Sequence, residues 1–167
     1  MADFSIEGST DPFLAVQLDR GEKVVAEGGA MAAMEDTIDL TGKARGGFLK
    51  SLARAATTRE SFFMQHAIAE RGPGRMLFAP GHPGEVRIIE VMGDSWSLTD
   101  GAFLCAEDSL KLETKRNKSL GGSFFGGTGG FFIMSVSGTG TLAVSALGAI
   151  QEMPIPPGGE LVGDSGH

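Results

Sequence analysis

The chain has 167 residues, a formal net charge of −7, 26 glycines, no tyrosine and one tryptophan. Its acidity disfavours general binding to nucleic-acid phosphate backbones, and the absence of tyrosine with only one tryptophan leaves little for an aromatic ligand cage. The single Cys105 excludes an internal disulfide and fits a reducing compartment, while no segment approaches the roughly 20 apolar residues that span a bilayer.

The first residues, Met1 to Glu7, carry neither a basic start nor a long apolar run, which predicts a cytoplasmic protein. Apolar residues 13–18 stop at Asp19-Arg20-Gly21, and residues 23–26 stop at Glu27-Gly28-Gly29. Both read as short strands closed by turns. Residues 47–56 dissent: Phe48, Leu49 and Leu52 fall on one helical face, with Lys50 and Arg54 elsewhere. That pattern predicts a short helix capping an open end of the β structure, packed on the core rather than lying on a membrane. Gly72-Pro73-Gly74 then leads into an apolar strand, and Pro80-Gly81-His82-Pro83-Gly84 reads as a turn with a solvated histidine. Strands follow at 86–91 and 95–99, separated by a turn at Gly93-Asp94, the second alternating polar and apolar residues. Residues 131–136 and 141–144 read as a hairpin around Ser137-Gly138-Thr139-Gly140.

Several landmarks recur. A glycine, seven intervening residues and a second glycine appear at Gly21 to Gly29, Gly93 to Gly101 and Gly158 to Gly166. Gly29-Ala30 and Gly101-Ala102 each lead to an acidic pair, Glu35-Asp36 and Glu107-Asp108. Gly-Gly pairs (Gly46-Gly47, Gly121-Gly122), aromatic pairs (Phe62-Phe63, Phe131-Phe132) and turns into apolar strands (Gly72 to Ala79, Gly138 to Ser145) recur in the same order. Such spacing predicts one small β unit copied along the chain, each copy burying its face against a neighbour. The expected organisation is one compact β domain, with a first repeat over 1–75, a second over 76–147 and the start of a third over 148–167.

Groups that could carry chemistry are sparse. Gly163-Asp164-Ser165-Gly166 looks like a serine-nucleophile segment, but that chemistry requires an oriented histidine base, and only His66, His82 and His167 exist. The repeat already accounts for the glycine there. The three histidines and Cys105 lack metal-ligand spacing, and no phosphate-binding glycine loop is present, so neither a metal nor another cofactor is expected. Lys111, Lys115, Arg116 and Lys118 form the densest basic cluster, yet it contains no aromatic residue on which a base could stack; it reads as a solvated strand end. The paired acids read as turn chemistry used twice, since Asp bonds its own neighbouring backbone. Within the glycine-rich stretch 121–130, Phe124 and Phe125 either tuck onto the core or form an exposed patch for a partner, another subunit or a membrane surface.

Together these landmarks resemble the mitochondrial biogenesis AIM-type family, the altered-inheritance-of-mitochondria group with bacterial and archaeal relatives. The residues carrying the resemblance run in order from Gly21-Glu22 and Ala26 to Met31, through Glu60-Ser61-Phe62-Phe63, Leu77-Phe78-Ala79-Pro80, Asp100 to Ala106 and Gly148-Ala149-Ile150, to Gly159 through His167. The resemblance implies an all-β chain of tandem β-sandwich units similar to the tryptophan RNA-binding attenuation protein. It also implies assembly as a homotrimer. It supplies no catalytic residues. The family pattern continues with further strands beyond the Asp-Ser-Gly-His segment, so the third unit is expected to be incomplete here.

The resulting expectation is a non-enzymatic oligomeric scaffold, binding an unknown protein partner and associated with membranes only through partners. The alternative is a ring module that binds a small ligand or nucleic acid in a regulatory, transcription-related role. Phe124 and Phe125 are the residues singled out as a partner contact.

Overall fold

Short apolar runs punctuated by glycine dictate the first strands of the structure, a computed structural model that describes residues 1–41, 64–99, 101–117 and 131–162. In β2 (Phe13–Leu18), Leu14, Val16 and Leu18 are buried on one face; on the other, Phe13 and Gln17 are exposed while Ala15 between them is buried, so that face is partly covered as well. It pairs antiparallel with β1 (Asp3–Glu7) on one edge and β7 (Gly74–Phe78) on the other. On the far edge of β7 lies β4 (Met31–Met34), giving the sheet order β1-β2-β7-β4.

The second sheet is larger. Its order is β10 (Lys111–Asn117), β11 (Phe131–Leu147), β9 (Phe103–Glu107), β3 (Lys23–Glu27), β6 (Met64–Ile68) and β5 (Asp39–Thr41). A further strand, β8 (Gly84–Thr99), pairs along β11 on the edge opposite β9 and β10. The all-β class expected from the sequence is therefore observed, and among the described residues there is no helix. The helix expected over 47–56 lies outside the described residues.

Two expected breaks are absent. The hairpin around Ser137 to Gly140 does not form; β11 runs unbroken for 17 residues, and β8 runs for 16 through Gly93-Asp94. The two strands face each other from Ile133↔Thr99 to Leu147↔Gly84, with one register shift between Ser137 and Thr139. The turn residues build a β-bulge instead of a reversal. Asp94 explains how the chain passes through: its carboxylate accepts from the Met92 N–H at 3.0 Å and from the Trp96 indole at 2.8 Å. The polar group that sequence reading assigns to a turn thus serves the bulge.

The core divides into two clusters. One gathers Leu14, Val16, Leu18, Val24, Ile38, Met76 and Phe78; the other gathers Val91, Leu98, Met134, Val136, Leu142 and Val144. The strand β9 feeds both, Leu104 and Cys105 entering the first and Phe103 and Ala106 the second. Every residue of β9 is buried. It is the joint on which the two clusters meet.

Candidate functional site

Two stretches of backbone about β4 and β9 are built alike. The Ala30 N–H donates to the Glu27 carbonyl at 3.2 Å, and the Ala102 N–H donates to the Thr99 carbonyl at 3.2 Å. Gly29 and Gly101, at φ 93° and 79°, take the left-handed conformation each turn requires. A strand follows, and then a second matched turn. The Ile38 N–H donates to Glu35 O, and the Leu110 N–H donates to Glu107 O, each at 3.1 Å.

The acidic residue of each second turn reaches across to another strand. Glu35 Oε2 accepts from the Arg75 N–H at 2.9 Å, and Glu107 Oε2 accepts from the Thr141 N–H at 2.8 Å. The glycine before each of those donors lies against its turn. A Cβ on Gly74 would collide with the side-chain oxygen of Thr37, and one on Gly140 would lie 2.5 Å from Ser109 Oγ and 2.9 Å from Glu107 Oε2. The latches differ in surroundings. Glu107 is only 8% exposed and Glu35 is solvent-facing. Around the buried latch, the Thr141 hydroxyl also donates to the Glu90 carboxylate at 3.3 Å.

Sequence alone reads the recurring acids as turn formers acting through Asp. The turns are present, but Glu makes the long-range bond in both. The sequence signal that could have shown this is the glycine recurring downstream of each acidic pair, Gly74 and Gly140, immediately before the residue whose N–H is held.

The strand of the second stretch, β9, meets the strand that leads into the first, β3, at one seam. There β9 pairs with β3 through Val24↔Glu107, Val25↔Ala106 and Ala26↔Cys105. The Asp108 N–H extends the seam to the Lys23 carbonyl at 3.4 Å. Because hydrogen bonding alternates along a strand, Lys23 and Val25 turn their backbone groups toward β9, while Val24 turns toward β6.

The other residues singled out from the sequence lie apart. Cys105 is fully buried, and burial pushes its thiol far above the ordinary range, which removes its nucleophilic character. His66 lies on the exposed side of β6, and His82 sits in an exposed bend. Lys111 on β10 pairs with Glu113 at 2.7 Å, and that carboxylate raises the lysine's pKa. Among the described residues no three His, Cys, Asp or Glu side chains gather as a metal site. No helix of the described residues is long and apolar enough to cross a membrane. Phe124, Phe125, Lys118, Ser165 and His167 lie outside the described residues.

One clamp escaped sequence reading. Glu85 accepts from the Ile150 N–H at 2.8 Å and from Arg87 at 3.0 Å, and Arg87 reaches the Ile150 carbonyl at 3.1 Å. The Ile150 hydrogen bond first, and then Arg87, hold the Glu85 carboxyl below its ordinary value of 4.5. The clamp fixes the chain leaving β11 against the start of β8.

The chain is similar to proteins of Streptococcus pyogenes. An uncharacterised protein of serotype M6 is 29% identical over 171 residues, covering 98% of this chain and 68% of that protein. The X-ray crystal structure of a protein from the same species superposes with a TM-score of 0.71 at 27% identity, covering 90% of this chain and 67% of the other. The chain thus spans about two thirds of the length of both. Residues 4–167 match the family model described as mitochondrial biogenesis AIM24, and with nearly the whole sequence inside that match, the chain belongs to this family.

Proposed function

We propose that the protein is a non-enzymatic assembly protein of the cytoplasm, a homo-oligomer built from small β units that join edge to edge. In this reading the first repeat spans residues 1–75, the second 76–147, and residues 148–167 begin a third, each a unit of the kind found in the tryptophan RNA-binding attenuation protein. The observation that supports this reading is the β3–β9 seam, a main-chain joint between the strand that leads into one of the matched turn sequences and the strand inside the other. A joint made from main-chain bonds and buried apolar strands adds further units without new chemistry. The Streptococcus relatives are about half as long again, room for another such unit.

In this reading the function is multivalent presentation. A symmetric oligomer displays several copies of one surface, with Phe124 and Phe125 as the contact for a protein partner, and membranes are reached only through that partner. Multiple copies raise avidity without new contacts. Light scattering coupled to size exclusion tests the assembly. Homotrimer formation gives a mass near three times the 17.4 kDa chain. A single-chain mass at every concentration removes the scaffold reading.

A further inference from the structure

Among the described residues Asp11 is the only one other than glycine with a positive φ, at 50°. It lies in the connection from β1 to β2, where Gly8 is left-handed as well, at φ 97°. The strands dictate that path. Their pairing closes at Glu7↔Phe13, so residues 8–12 have to reverse the chain. The reversal is tight, for a Cβ on Gly8 would sit 3.5 Å from the Pro12 Cα, and Pro12 itself is buried.

The left-handed region is costly for any residue with a Cβ, and a following proline crowds the backbone before it further. Aspartate usually offsets the cost by bonding its neighbouring backbone. Asp11 does not. It is exposed, and its carboxylate has no hydrogen-bond or ion-pair partner. The charged side chains of the strands around it are Asp3 and Glu7 on β1 and Arg75 on β7, while β2 has none. Arg75 pairs with Glu7, so the Asp11 carboxylate is left without a cation.

We infer that Asp11–Pro12, the chain's single Asp–Pro bond, is a self-cleaving site at which Asp11 attacks its own carbonyl. An oxygen of the Asp11 side chain forms a C–O bond to the Asp11 carbonyl carbon, and the C–N bond to Pro12 breaks. The carboxyl proton passes to the Pro12 nitrogen, which leaves as a secondary amine. Asp11 is then a cyclic anhydride, and water opens it to restore the side chain and free the α-carboxylate. No electrons change hands, and water is the sole co-reactant. Proline suits the leaving position because its nitrogen carries no hydrogen in the chain, so it forms no competing imide with the side chain. The turn supplies the rest: an unpaired carboxyl beside a backbone whose strain is relieved as the bond breaks. After the cut β1 is held only by its pairing with β2, from Asp3↔Gln17 to Glu7↔Phe13, and by contacts such as Phe4 on the first core cluster. A tethered strand becomes a separable one.

The test incubates the full chain beside a synthetic peptide of residues 7–13, in which nothing holds Asp11 left-handed. Both are kept at about pH 4, where close to half of ordinary aspartates carry the proton that the step transfers. Intact mass and amino-terminal sequencing follow the reaction. The expected products are fragments 1–11 and 12–167, with Pro12 as the new amino terminus. They should form about fivefold or more faster in the protein than in the peptide. Asp11→Ala should stay whole, and Asp11→Glu, whose attack closes a larger ring, should cut more slowly than the parent. A protein that is cut no faster than the peptide overturns the inference, because the folded turn then contributes nothing. Cleavage at the same bond in Asp11→Ala overturns it too, because the side chain is then not the nucleophile.

Discussion

Replacing Glu107 by alanine removes the acceptor that holds the Thr141 N–H at 2.8 Å in a site only 8% exposed. A hydrogen bond to a charged group contributes about 1.5–3 kcal/mol, and a buried donor left without a partner adds its own desolvation cost. The matched substitution at Glu35 removes the same kind of bond at 2.9 Å, but in an exposed position where water can replace the carboxylate. Its cost should stay below about 1 kcal/mol. For a domain of this size each kcal/mol shifts the melting temperature by about 2–4 °C. Glu107→Ala should therefore melt about 3–12 °C below the parent, and Glu35→Ala no more than about 4 °C below. Glu107→Gln, which keeps an acceptor oxygen, should recover most of the loss. Thermal unfolding followed by circular dichroism measures all three. Equal losses at the two positions would refute the reasoning, because burial would then have no part in the latch.

Three further outcomes follow from the same geometry. Gly140→Ala places a methyl 2.5 Å from Ser109 Oγ and should cost about 1–3 kcal/mol by overpacking; urea titration should show partial rescue when Ser109→Ala is added. Cys105, buried with its thiol pushed up, should react with a disulfide reagent only as fast as the chain opens, so a rapid burst in native buffer would contradict its placement. Glu85 has its folded-state pKa depressed below 4.5, so its contribution to stability is present above that value and is lost as pH falls through the folded pKa. The melting difference between the parent and Glu85→Gln should accordingly be full near neutrality and shrink in acid below about 4.5; a difference constant with pH would contradict the clamp.

Local pattern made β2, β3 and the second half of β8 legible, because short apolar or alternating runs and the turn residues that bound them are properties of a few adjacent residues. The recurrence of Gly29-Ala30 with Glu35, and of Gly101-Ala102 with Glu107, was also visible, and both turns exist. What sequence could not show is partnership. Ser137 to Gly140 looks like a reversal until β8 supplies a partner long enough to carry β11 straight past it. The acidic pairs look local until Arg75 and Thr141, brought in by long-range pairing, present their N–H groups. The same limit hides the contrast between β4 and β9. Met31 to Met34 and Phe103 to Ala106 are both short apolar runs, and only the sheet order shows that, among the described residues, the first lies at a sheet edge and the second is enclosed.

The central claim is that copies of the chain assemble edge to edge, and amide hydrogen exchange across a series of protein concentrations tests it most directly. Peptides covering β4, an edge strand among the described residues, should gain protection as concentration rises, while β3 and β9 stay protected throughout. If no edge strand gains protection in concentrated protein, the edge-to-edge account fails.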